Sequence, residues 1–572
     1  MIGNTMKEII YAIFLSFFLC GLCGNAEAKK KKEVKKAIKR EVQTPYDKLF
    51  KGKKAFTVNG LMKMHLMAGK VYAEFPIELL NRDLALTSSI EDISDNGEGV
   101  VGQFAGRVNQ FRFTLQDSML QARLVRRYGV KNTGMGKNAD QIIERSNTPG
   151  IFQSYKILAY TPDKKAVVVD MTELFLESSR LTNPFPSYAG NSLYGFVQRI
   201  HKFQSQRSEL LGICGNDNSM SVRCNLGFNV DRLVLGSFMQ AKDVPVSVTV
   251  NKILMLLPED PMRPRLADSR IGVNAIIQTE LPDVCQGIKT YYITKRWRIE
   301  PVDEIRYKQG EMVDVKKPIV FYIDTLMPDS WIKYVKAGAE AWNAAFEKIG
   351  LRNVVRTELF PKDSSFDAGD IHNSVIRYAP SWMYYPQYSM HTDPRTGEIL
   401  NASVYLPANV ASYFYTSRTE ETMAVDPSVR KARLSEEQFG EMFKAKMMQA
   451  IGRCLGLTDN YAASSVYPVD SLRSAKFTQK YGTTPSIMDY ARFNYVAQPE
   501  DKGVKLTPPN LGIYDEYVIK WLYSPLYGLS AKEEQAMLES WIDEHAGDPI
   551  YRYGKQQVIA RYDPSALEED LG

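Results

Sequence analysis

SEEQFGEMFKAKMMQAIGRCLGLTD, residues 435–459, is the stretch on which the fold of the second half of the chain turns. Ser435 and Gln438 have the spacing of a capping box, and Phe439, Phe443, Met447, Ile451 and Cys454 recur at intervals of three or four. Gly456 stands where a left-handed cap is expected, so the pattern predicts a helix from Glu436 to Leu455. Lys446, Gln449 and Arg453 fall at i, i+3 and i+7 on one face. Two positive charges there favour an acidic ligand or a carboxylate; a partly solvated polar face is the plainer alternative.

Upstream, residues 318–323 form a continuous apolar run of strand length. It leads through a turn into WIKYVKAGAEAWNAAFEKIG (331–350), which reads as an amphipathic helix ending at Gly350. SVIRYAP (374–380) and ILNASVYLP (399–407) read as strands, completing an α/β unit. Further upstream the pattern is strand after strand: FTVNG (56–60), LMKMHLM (61–67), KVYAEFP (70–76), RFTLQ (112–116), KAVVVDM (165–171), DRLVLGSFM (231–239) and PVSVTVNKILMLL (245–257). The expected fold class is therefore α+β and multidomain, a β-rich N-terminal half followed by an α/β domain with a mixed sheet and two long helices. Expected boundaries are a small β-rich domain at 45–98, a second β-rich domain at 99–298, the α/β domain at 299–500 and a helical extension at 501–572.

The chain has 572 residues, 44% hydrophobic and 24% charged, enough apolar side chain for several cores. Its formal charge of +6 is concentrated in residues 29–40, where eight Lys or Arg face Glu33 alone. Residues 41–572 sum to zero, which argues against a nucleic-acid surface. Before this basic linker (29–44), Lys7, the apolar run Ile9–Leu22 and Ala26-Glu27-Ala28 fit a signal peptide, residues 1–28. Export to the periplasm or the extracellular space is the expectation, with no transmembrane segment in the mature chain. Bulky Leu19 and Leu22 precede Cys20 and Cys23 where a lipid-attachment site wants a small residue, so lipoprotein attachment is not expected. Of the remaining cysteines, Cys214 and Cys224 flank a polar loop and could close a hairpin disulfide or be two buried thiols. Cys285 and Cys454 have no evident partner.

Three separated blocks carry a resemblance: PIVFYID (318–324) with AWNAAFEKIG (341–350), DPRTGEILNASVYL (393–406), and AASSVYPVDSLRSAKFTQKYGTTPSIMDYARFNYVAQPED (462–501). From about Pro45 onward the chain resembles secreted bacterial zinc-dependent metalloproteases that join β-rich N-terminal domains to a metzincin-like catalytic domain. The resemblance makes SIMDY (486–490) the methionine turn, with Met488 its methionine followed by Tyr490. It makes Ile399–Leu406 the edge strand that pairs with peptide, with Ile399, Asn401, Ser403 and Tyr405 as its candidate residues. Family members usually continue beyond the block that here reads YRYGKQQVIARYDPSALEEDLG (551–572), so a C-terminal truncation is an expectation too.

The departure falls on the chemistry. Such proteases carry H-E-x-x-H-x-x-G-x-x-H, three zinc ligands and a general base. Here Gln449, Arg453 and Asp459 occupy the ligand positions and Ala450 that of the glutamate; only Gly456 survives. Zinc takes imidazoles, thiolates or carboxylates at about 2.0–2.3 Å, and a guanidinium cannot deprotonate to serve. The five histidines, His65, His201, His372, His391 and His545, show no pair at helical spacing. No zinc or other cofactor is therefore expected, and Arg453 and Asp459 are expected to form a salt bridge where the metal would tie helix to turn, with Gln449 hydrogen-bonded nearby. The aromatic concentration at Trp382, Tyr384, Tyr385, Tyr388, Tyr413, Phe414 and Tyr415 suits a peptide or glycan, or is ordinary core. The resulting expectation is a non-catalytic homologue acting by binding a peptide or protein partner. The alternatives are a working zinc endopeptidase with a non-standard site and a structural envelope protein.

Overall fold

A computed structural model describes residues 43–125, 130–133, 137–178, 181–185, 197–234, 238–283, 285, 287–363, 366–381 and 383–554. The segment read as a signal peptide, the basic linker up to residue 42, Trp382 and residues 555–572 lie outside these residues. From Pro45 the contacts form one compact unit. Among the described residues no helix is long and apolar enough to cross a membrane.

The N-terminal half is β-rich. A five-stranded sheet pairs Phe56–Val58, Lys63–Met67, Lys70–Pro76, Ala166–Asp170 and Ala159–Tyr160 in that order. Alternation decides which side chains turn inward: Val71, Ala73 and Phe75 are fully buried and pack with Val167 and Val169. A seven-stranded antiparallel sheet is built on three long strands, Val197–Asn216, Ser219–Val234 and Phe238–Leu256. The run 231–239, read from sequence as one strand, spans the end of one of these and the start of the next. Leu226, Phe228 and Val230 meet Val246, Val248 and Val250 in a separate core beneath them.

The register of this sheet excludes the disulfide considered above. Cys214 lies opposite Ser221, and Cys224 lies opposite Leu210, so the two cysteines are offset along the hairpin and both are free thiols. Cys224 is buried and donates to Phe175 O (3.2 Å), and burial pushes its thiol up to about 11.

In the C-terminal region a mixed sheet is assembled from β1 (Ile319–Ile323), β2 (Val355–Leu359), β3 (Ser374–Ala379), β4 (Gln387–Thr392) and β5 (Ile399–Pro407), in the order β2-β1-β3-β5-β4. The first four strands in that order are parallel, whereas β4 and β5 form an antiparallel hairpin with Gln387 opposite Tyr405. Against this sheet pack α1 (Asp329–Glu340), α2 (Val410–Thr422), α3 (Glu436–Cys454) and α4 (Ile513–Tyr523). The helix expected to run to Gly350 instead ends at Glu340 and resumes as a short segment, Asn343–Glu347. Between them Trp342 is fully buried and donates from Nε1 to Met448 O of α3 (2.9 Å). Asn343 also bonds both the N–H and the carbonyl of Val355 on β2.

The helix expected from the opening stretch begins on the capping box, with Gln438 N donating to Ser435 Oγ and Ser435 N to Gln438 Oε1. Gly456 (φ +90°) ends it in a Schellman turn: Leu457 N donates to Gly452 O and Gly456 N to Arg453 O, both at 3.0 Å. Any side chain at 456 would strike Lys295 O, so the turn has no room for one.

Candidate functional site

The Schellman turn sends the chain back beneath α3 and sets Asp459 against the helix it has just left. Arg453 Nη2 donates to both oxygens of Asp459, each at 2.8 Å, and Nε donates to Oδ1 at 3.1 Å. Both side chains are largely buried, 15% and 19% exposed. Burial opposes the charge on Arg453, but Asp459, joined by Tyr388 and Tyr490, more than offsets it and holds the guanidinium protonated more firmly than usual.

One and two turns earlier on the same face lie Gln449 and Lys446. Lys446 Nζ donates to Gln449 Oε1 (2.5 Å), and Gln449 Nε2 donates to Asp489 O (3.1 Å). Both ends of the amide are thus engaged. Burial, then the like charge of Arg453 and of Arg492, pushes the Lys446 ammonium down to about 8, with Asp459 acting the other way. Ala450, where a general base would stand, is buried among apolar neighbours.

Beneath the helix the SIMDY segment (486–490), expected to be the methionine turn, is held by one carboxylate. Asp515 on α4 accepts from Ser486 Oγ (2.7 Å), Ile487 N (2.8 Å) and Gly512 N (2.7 Å), and Ser486 Oγ in turn accepts from Met488 N (3.1 Å). Met488 is fully buried and sits so close to α3 that a Cβ on Gly452 would fall 2.4 Å from its sulfur. Two residues on, Tyr490 is half exposed, stacks on Tyr461 (5.3 Å) and accepts from Arg453 Nη2 (3.1 Å). The ring therefore caps the ion pair from the solvent side.

Aromatic rings line the cations. Arg453 lies 5.6 Å from the Tyr388 ring and 5.9 Å from that of Tyr490; Lys446 lies 5.8 Å from Tyr385 and 5.5 Å from Tyr490. Of the aromatics singled out in the sequence, Tyr384, Tyr385 and Tyr388 are exposed, whereas Phe414 is core. Tyr415 donates to Lys431 O away from these cations. Arg492, which no sequence pattern marked, closes the other side, ion-paired with Glu421 (2.5 Å) and donating to Tyr413 Oη (3.0 Å).

The strand assigned to peptide pairing is corrected by the sheet. β5 lies between β3 and β4, hydrogen-bonded on both sides, so its backbone has no edge to offer. Ile399, Asn401, Ser403 and Tyr405 are all buried. Asn401 donates to Ile371 O and Asn373 O, Ser403 donates to Asn401 Oδ1, and Tyr405 donates to Gly102 O. Among the described residues, β4 is the last strand of the sheet on the α3 side. The signal for this was available: DPRTGE (393–398) is a turn, and YSMHT before it is a strand of hairpin length.

The donor set does not fit a zinc ion. A guanidinium and an ammonium face the position, the amide of Gln449 is engaged at both ends, and Asp459 is neutralised by Arg453. Among the described residues no three of His, Cys, Asp and Glu come together where they could hold a metal.

A sheet of parallel strands edged by one antiparallel strand, a long helix ending in a glycine turn and the buried Met488 beneath it agree with the metzincin-like arrangement expected of the C-terminal region. Residues 431–572 match the protein family described as Met-zincin, which supports a metalloprotease-like relationship for this part of the chain. Residues 102–302 match a domain of unknown function. No curated protein and no solved structure matches.

Proposed function

We propose that the chain is a non-catalytic relative of the secreted zinc metalloproteases, exported to the cell envelope, where it binds a peptide or protein partner rather than cutting it. The observation that carries this is the Arg453–Asp459 pair at two of the three ligand positions. An ion pair bonded through three N–H···O contacts ties helix to turn, the structural task the metal performs in an active protease. Loss of the general base at Ala450 alone typically costs about 10²–10⁴-fold in rate, and loss of the metal compounds it. Export rests on the N-terminal apolar run and the small-residue triplet of the sequence.

The reading is tested by incubating the purified mature chain with an unfolded protein and a mixed fluorogenic peptide library, with added zinc and with a chelator. No chelator-sensitive cleavage is the expected result. Turnover that the chelator abolishes and zinc restores would overturn the reading.

A further inference from the structure

Beside the ion pair lies a shallow slot that opens to solvent between α3, α2 and the turn at Met488. Its floor is apolar, made by Phe414, Met442, Ile487 and Phe493. Its rim carries Lys446 and Arg492. The charges around it are not balanced at every point: Arg453 is held by Asp459 and Arg492 by Glu421, but among the described residues no carboxylate makes an ion pair with Lys446. Asp489, also on the rim, is committed elsewhere, its two oxygens accepting from Ser464 N and Tyr490 N. Lys446 has three N–H donors and gives one to Gln449.

We propose that this slot binds the C-terminal residue of a polypeptide, an apolar side chain on its floor and the terminal carboxylate at Lys446, with Arg492 beside it. The inference rests on the reading of the cleft as a binding site and names its ligand. An apolar floor with a cationic rim calls for an apolar group and a carboxylate a few bonds apart, which a chain terminus supplies. An internal Asp or Glu would meet the rim and leave the floor empty. The sheet agrees on direction: β4 runs from Gln387 to Thr392, so a segment laid antiparallel to it would finish beside Gln387. That is the end where Tyr385 covers Lys446 and Tyr388 covers Arg453.

The test uses N-terminally labelled hexapeptides of alternating threonine and valine, each ending in one of the apolar residues, prepared as free acid and as amide. A third set is amidated with glutamate at the fifth position. Fluorescence anisotropy on the unaltered mature chain is expected to show the best acids binding about ten- to a hundredfold more tightly than their amides, the range of a charge-assisted contact. Lys446→Met is expected to bring those acids to the level of the amides and to leave the amides unchanged. Equal binding of acid and amide overturns the proposal, and so does binding of the amidated glutamate set as tightly as the acids. Absence of binding by every acid overturns it too. Equal binding leaves the non-catalytic reading standing, whereas chelator-sensitive cleavage of the same peptides would sink that reading instead.

Discussion

Arg453→Ala is expected to destabilise the C-terminal region by about 3 kcal/mol, more than a surface pair could account for. The reason is what it leaves behind: Asp459, 19% exposed, loses the three N–H···O contacts that compensate its desolvation. Asp459→Ala strands the guanidinium in the same way and should cost a similar amount, although Arg453 keeps the hydroxyl of Tyr490. Removing both should cost less than the two separate losses added together, because neither charge then remains unpaired. Unfolding by urea, followed through the buried tryptophans Trp342 and Trp521, reads the effect where it occurs. Additive single losses of a few tenths of a kcal/mol each would mean that the pair is incidental and that something else holds α3 to the turn.

Rebuilding the protease motif is expected to have the other large effect. Gln449→His, Ala450→Glu, Arg453→His and Asp459→His together should take zinc from a trace to about one equivalent per chain. The backbone that would receive it is in place: positions 449 and 453 share a helix face, the Schellman turn at Gly456 delivers residue 459, and Met488 lies against Gly452. Zinc at about a hundredfold over its dissociation constant would then raise stability by about 2.7 kcal/mol. Lys446 and Arg492 remain as positive neighbours, so adding Lys446→Met should tighten the metal further. Failure of the rebuilt chain to bind zinc while remaining folded would mean that the surroundings, and not only the ligands, have moved away from metal binding.

Local grammar made α3 readable. The capping box at Ser435 and Gln438 and the glycine at 456 are decided by a few neighbouring residues, and both are where the pattern predicts them. The contact between Arg453 and Asp459 was likewise legible from residue type and spacing. What could not be read depended on partners far away in sequence. Whether β5 is an edge or an interior strand is decided by YSMHT folding back on it, and Asn401 and Ser403, named as peptide-binding candidates, are spent on Ile371, Asn373 and Val375 inside the fold. Cys214 and Cys224 looked pairable by loop length, but strand register sets them apart. The break in the helix at Trp342 follows from a bond to Met448, more than a hundred residues away. Arg492 carries no local signal and acquires its role only because the methionine turn places it opposite Lys446.

Metal content decides the central claim most directly. Crystals of the unaltered mature chain grown with zinc present, measured above and below the zinc absorption edge, are expected to show no anomalous peak between α3 and Met488, with Arg453 and Asp459 still in contact. A peak there, coordinated by residues of this cleft, would contradict the account and return the chain to the working metalloproteases.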